Sequence, residues 1–214
     1  MKKNLKKVLA VVLALTMVFA MTATAFADTN NGYVTVSVMQ NSFNLTGSYV
    51  GNGTGVAFQD EDGTSYTIVN FQVPISQVEE NIEYGYKYLY LPEDVDDPMN
   101  GEASVLDAII AALDMNGISD IDAGWDYTNV PAWNLYPGGY IHNINSDSRV
   151  GNTVTTYTDE NGKVWNRSYG SGWSIAYSEN NGTMTVPTQY TSNIALASGM
   201  NIIIDISAYD MLWE

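Results

Sequence analysis

Apolar and polar residues alternate along Tyr33-Val34-Thr35-Val36-Ser37-Val38-Met39, the period-two pattern of a half-buried strand. The segments 55–59 and 64–69 repeat that pattern around Asp60-Glu61-Asp62-Gly63, which predicts a hairpin. A second hairpin is predicted where 154–157 and 163–165 flank Asp159-Glu160-Asn161-Gly162. Residues 84–91, 172–177, 183–186 and 200–207 read as further strands, and 47–55 and 94–101 as loops. One segment has helical period instead. Val105, Leu106, Ile109, Ile110 and Leu113 fall on one face, with Ala108, Ala111 and Ala112 raising helix propensity. Ser104 and Asp107 have the spacing of a capping box, and Asn116-Gly117 provides a stop. A single main helix (104–115) among many strands, without βαβ alternation, predicts an α+β fold: mostly antiparallel β with the helix packed on a sheet.

The N-terminus changes the picture of where the chain works. Lys2, Lys3, Lys6 and Lys7 precede an apolar run from 8 to 21, and Ala25-Phe26-Ala27 is a small-x-small cleavage site. This is the pattern of a signal peptide over 1–27, followed by one exported domain over 28–214. The apolar run is shorter than the roughly 20 residues that cross a bilayer. Four of the chain's 8 basic residues lie in the leader and none of its 24 acids, so residues 28–214 carry 4 − 24 = −20 formal charges. Such a surface repels phosphate backbones and anionic lipid, which argues against nucleic acid and membrane partners. The chain has no cysteine. That excludes disulfides and thiolate chemistry, and with the lysine-rich leader it points to a bacterium. Nothing near the C-terminus reads as an outer-membrane strand, so secretion from a Gram-positive cell is expected, with any hold on its surface non-covalent because no sorting motif or lipid-carrying Cys is seen.

Several short motifs occur in a recognisable order. Gly101-x-x-Ser104-Val105-Leu106-Asp107-Ala108-Ile109 opens the helix, and Gly138-Gly139-Tyr140-Ile141 follows. Then come Ser171-Gly172-Trp173, the Asn180-Asn181-Gly182 turn, and Leu196-Ala197-Ser198-Gly199-Met200 before the last strand. This series resembles the transcobalamin-like C-terminal domain family, over roughly residues 33–207. Met200 stands where that family often has Asp. The resemblance implies a β-rich binding module, with cobalamin or another corrinoid as one ligand, and a core place for Trp173.

No catalytic constellation accompanies these motifs, so a non-enzymatic role is expected. His142 is the only histidine, which leaves no serine triad and no multi-histidine metal site. It remains a candidate axial ligand or base, against the simpler role of a strand histidine. Twenty-four acids supply carboxylate pairs by chance, and Glu79, Glu80 and Glu83 read as a solvated face. Asp60, Asp62, Asp94 and Asp96 sit in acidic loops able to offer oxygens to weakly bound Ca²⁺, or simply to form turns. Trp125, Tyr127, Trp133, Tyr136 and Tyr140 form an aromatic stretch with Pro131 and Pro137 that reads as a loop. Together with His142 it is the candidate edge for stacking a sugar or a flat macrocycle. The expected role is therefore a secreted module binding a small molecule or glycan. The alternative is a structural or adhesive surface component acting through a protein partner.

Overall fold

A computed structural model of the protein describes residues 32–84, 101–126 and 138–214. Strand β1 (Tyr33–Gln40) organises the main sheet and has different neighbours on its two edges. On one edge it runs parallel to β10 (Asn201–Trp213), with Val36 opposite Ile202 and Val38 opposite Ile204. On the other, its first half pairs antiparallel with β5 (Phe71–Pro74), while Met39 and Gln40 pair with β2 (Thr54–Gly55). Beyond β10 lie the 15-residue β9 (Val164–Ser178) and then β8 (Gly151–Thr158), both antiparallel. Two small hairpins stand apart from this sheet: β3 (Ala57–Gln59) with β4 (Ser65–Thr67), and β6 (Ile121–Asp126) with β7 (Gly138–Ile144). The fold is α+β and mostly antiparallel β, as the patterning predicts. The β1–β10 pair is the parallel exception, bringing together elements from opposite ends of the fold.

The core lies where one face of that sheet meets helix α2 (Val105–Asp114). Val34, Val36 and Val38 of β1 and Ile202, Ile204 and Ile206 of β10 supply the sheet side, all buried. On α2, every residue from Val105 to Leu113 is buried, so the apolar stripe is only part of what the helix covers. A helix enclosed all round needs its polar groups satisfied internally. The Ser104 side chain accepts the Asp107 N–H at 3.3 Å, and the Asp107 carboxylate accepts the Ser104 N–H at 2.8 Å. The predicted capping box is therefore present and buried. At the other end Gly117 takes φ +74°, and Ile118 N–H returns to the Leu113 carbonyl at 2.9 Å.

A second helix, α1 (Ile75–Tyr84), was not legible from the pattern. It follows β5 directly. Ile75 and Val78 are buried and Glu79 and Glu80 exposed, so the solvated acidic face belongs to a helix. Tyr84 ends that helix where the sequence predicted the start of a strand. The rest of that segment, and Asp94 and Asp96, lie outside the described residues.

Both predicted acidic hairpin turns form, and they share one geometry. Asp60 Oδ1 accepts the N–H groups of Asp62 (3.1 Å) and Thr64 (2.7 Å). Asp159 Oδ1 accepts those of Asn161 (2.9 Å) and Lys163 (2.9 Å). In each, the glycine closes the turn by donating its N–H to the aspartate carbonyl at 3.0 Å.

Candidate functional site

The segment predicted as an aromatic loop is in part regular. Position 125 lies in β6 opposite Gly139, and Tyr140 lies in β7 opposite Gly124. Trp125 and Tyr140 thus sit on paired strands instead of on a loop. Tyr127, Trp133 and Tyr136 lie outside the described residues. Tyr140 and His142, two apart on β7, are both exposed, while Ile141 between them is buried. The Tyr140 ring passes over Gly124, where an added Cβ would lie 2.7 Å from the phenol oxygen. Glycine there is a requirement of close approach.

Trp173 is the residue around which the site is built, and the family resemblance implies a core place for it. Its register partner on β10 is Ile206, so it stands on the helix-facing side of the sheet. It is only partly buried and packs against the edge of the core. Its indole Nε1 is buried and has no hydrogen-bond partner among the described residues. A buried N–H left unpaired is costly, about 1–3 kcal/mol, and such a group is a ready donor to anything that enters beside it.

Two grooves open beside this indole, and Trp173 and Ile141 line both. The first, of about 230 Å³, runs between Tyr140 and the segment bearing Pro187 and Tyr190. The second, of about 400 Å³, is bounded by His142, Val150, Asn152 and Tyr209. Among the described residues neither is lined by Asp, Glu, Lys or Arg, and His142 contributes an imidazole to the second. In a chain so acidic, two adjoining uncharged grooves are a local departure.

The floor of the first groove includes a bare stretch of strand edge. Tyr177 exchanges both backbone hydrogen bonds with Thr185, at 2.9 and 2.8 Å. Its N–H and C=O therefore point away from β10. Alternation along β9 points those of Ile175 and Trp173 the same way. β8 begins its pairing only at Ser171, opposite Gly151, so these four backbone groups face the groove without a strand partner among the described residues.

Local packing fixes the groove walls. Gly138 lies so close to Tyr190 that an added Cβ would sit 2.2 Å from its Cβ, and Gly139 N–H donates to Ser192 Oγ at 2.9 Å. The Gly138-Gly139 pair thus locks β7 against the chain segment carrying Tyr190.

The acidic loops behave differently. Asp60 spends one carboxylate oxygen on backbone N–H groups of its own turn. Among the described residues no three His, Asp or Glu side chains gather into a group able to hold a metal ion.

No family model, curated protein or solved structure matches the chain.

Proposed function

We propose that the protein is a non-catalytic extracellular binding module that holds a small neutral, hydroxyl- or amide-rich ligand, of glycan type, against Trp173. The observation that carries this reading is the buried, unpartnered Trp173 Nε1 between two uncharged grooves. An aromatic face with a polar tip suits a sugar ring, which offers apolar C–H patches and hydroxyls together. The edge groups of Trp173 and Ile175 add two donors and two acceptors for the same kind of partner. The lack of charged lining disfavours an ionic ligand, whose desolvation nothing there would offset.

Corrinoid binding, which the transcobalamin-like resemblance implies, fits these grooves less well. Cavities that enclose drug-sized ligands run about 300–1,000 Å³; the grooves here hold about 230 and 400 Å³. A corrinoid macrocycle exceeds that class, so it would lie across the rim beside His142 and leave the indole N–H unreached. Export through the 1–27 leader belongs to the same proposal and rests on the leader pattern.

The test is a titration followed by intrinsic tryptophan fluorescence, with a panel of neutral oligosaccharides in one arm and cobalamin in the other. Saturable quenching by an oligosaccharide, lost in Trp173→Phe and kept in Trp165→Phe, is expected. The Phe variant keeps an aromatic face but loses the donor, the second ring and the reporting indole, so its binding is read by calorimetry. Saturable binding of cobalamin alone, abolished by His142→Ala, would replace the glycan reading with the corrinoid one. Binding in neither arm sinks both.

A further inference from the structure

The outer edge of the sheet is open. β8 is its last strand, and all eight residues, Gly151 to Thr158, are exposed. Sheet edges in monomeric proteins are ordinarily blunted by lysine, proline, a bulge or a covering segment. Among the described residues β8 has none of these. Its sequence, Gly-Asn-Thr-Val-Thr-Thr-Tyr-Thr, contains no charge and no proline. Its register with β9 runs through eight pairs without a shift. From Thr153 to Thr158 the residues are the β-branched and aromatic types that favour pairing.

The direction of its unpaired backbone groups can be derived. Asp159 N–H bonds to the Lys163 carbonyl across the turn, so position 159 belongs to the hydrogen-bonded series between the strands. Counting back by twos, Tyr157, Thr155, Thr153 and Gly151 bond to β9. Asn152, Val154, Thr156 and Thr158 therefore point their N–H and C=O groups outward.

Charge around this edge is unlike that of the rest of the molecule. Residues 28–214 contain four basic side chains, and three of them, Arg149, Lys163 and Arg167, lie beside β8 or on the hairpin it forms. Each is paired: Arg149 with Asp147, Lys163 with Glu214, Arg167 with Asp210. A second body as acidic as this one is repelled most strongly elsewhere on the surface; beside the edge the three ion pairs cancel and, among the described residues, only the turn acids Asp159 and Glu160 remain.

We infer that β8 is a self-association edge, and that its partner is the β8 strand of a second copy in antiparallel register about a two-fold axis through Thr155. This register pairs Asn152 with Thr158 and Val154 with Thr156, and each pair recurs by symmetry. All four outward residues are then used, giving four pairs with two hydrogen bonds each. A register centred on Val154 would use only three of them. Centring on Thr155 also sets Thr153 of one copy against Tyr157 of the other. Tyr169 already lies opposite Thr153 on β9, and Trp165 opposite Tyr157. One row across the joined sheets would then read Tyr169, Thr153, Tyr157 and Trp165, the last two from the second copy. Aromatic against β-branched neighbours are among the favourable cross-strand pairs. The association is isologous and closes at two copies.

The test is sedimentation velocity on the purified protein from about 1 µM to about 1 mM, at low and at 0.5 M salt. A monomer–dimer equilibrium that strengthens with salt is expected, because salt screens the repulsion between the acidic bodies. Thr155→Lys sets two ammonium groups opposite one another at the axis and should weaken dimerisation about tenfold or more. Thr155→Glu should do the same. An equimolar mixture of the two variants should recover a heterodimer, as expected where the two 155 side chains meet at the axis. Position 155 is exposed and lines neither groove, so an unchanged melting curve and unchanged ligand titration separate this result from the groove reading. A wild-type protein monomeric across the whole range, a Lys variant that dimerises as well as wild type, or a mixture that stays monomeric would each overturn the proposal.

Discussion

Asp205 is fully buried on β10, with Ile204 and Ile206 on either side. Its neighbours in sequence face the helix, so its own side chain faces the opposite side of the sheet. There Ser42 N–H donates to its Oδ2 at 2.9 Å, and the Ser207 hydroxyl donates to its Oδ1. Ser207 Oγ in turn accepts the Phe43 N–H at 3.2 Å. One carboxylate thereby pins the loop after β1 across the back of the sheet. Close by, burial raises the Tyr49 hydroxyl above the ordinary tyrosine range, and the Asp205 carboxylate adds to that shift. Asp205→Ala orphans a buried N–H and a buried hydroxyl and should cost about 3 kcal/mol. Asp205→Asn keeps an acceptor and should cost less than half of that. Urea unfolding of the two variants checks the order; equal midpoints would show that the carboxylate fixes nothing. No residue pattern announces this network. The run Ile202-Ile203-Ile204-Asp205-Ile206 predicts a strand, but nothing in it says that a loop covers the polar face.

At the scale of the element, the β8–β9 hairpin continues past the helix-covered core, and polar turn chemistry takes over from burial there. Asp159 bonds the Lys163 and Asn161 N–H groups, and Trp165 Nε1 donates to its Oδ2 at 3.1 Å. These bonds favour the ionised carboxylate and hold Asp159 below the ordinary range, the Lys163 N–H contributing most. Hydrogen bonding from Arg167 and Arg149 does the same for Asp210 and Asp147. A carboxylate whose folded value is depressed stabilises the fold above its unfolded value, and that contribution disappears as pH falls through the folded one. The hairpin should therefore be intact at neutral pH and loosen below the usual carboxylate range, before the helix-packed core does. Amide exchange at Asn161 and Lys163, followed through an acid titration, reads this directly. Asp159→Asn keeps an acceptor that does not titrate, so its turn should lose less protection on acidification than the wild-type turn. Protection at 161 and 163 that outlasts that of α2 would show that the turn does not depend on the ionised acid. This element was largely legible, because Asp-Glu-Asn-Gly between alternating segments specifies a turn by local chemistry. Its length was not: the segments around 165 and 175 read as separate strands because Gly170 and Gly172 interrupt the pattern, whereas β9 runs through both. The second helix escaped for a related reason, since α1 buries only Ile75 and Val78 among its described side chains and has no acidic first turn or basic last turn to mark its ends.

For the whole molecule, what the sequence conveys best is charge and the identity of the buried helix; what it conveys least is which aromatics border open space. The core place expected for Trp173 comes from the family resemblance, through its Gly-Trp motif, and not from the local pattern. Its half-open position depends on β8 starting only at Gly151 and on β7 standing off to one side, both tertiary facts. Charge, by contrast, is additive. Residues 28–214 carry 20 more acids than bases, and the described basic groups are each engaged by one acid. The remaining carboxylates repel one another across the folded surface more than across an expanded chain. At 0.01 M ionic strength the screening length is about 30 Å, which spans a domain; at 0.15 M it is about 8 Å. Raising NaCl between these values should stabilise the fold by about 1 kcal/mol, or about 2–4 °C in melting temperature for a chain of this size. CaCl₂ at matched ionic strength separates screening from site binding. An equal shift means that the acidic turns act only through the general field, as expected where Asp60 is already engaged by its own backbone. A larger shift with calcium, abolished by Asp60→Asn with Asp62→Asn, would place a cation on that turn. A melting temperature indifferent to NaCl would show that the excess charge exerts no net strain on the fold, and would also remove the reason for dimerisation through β8 to strengthen with salt.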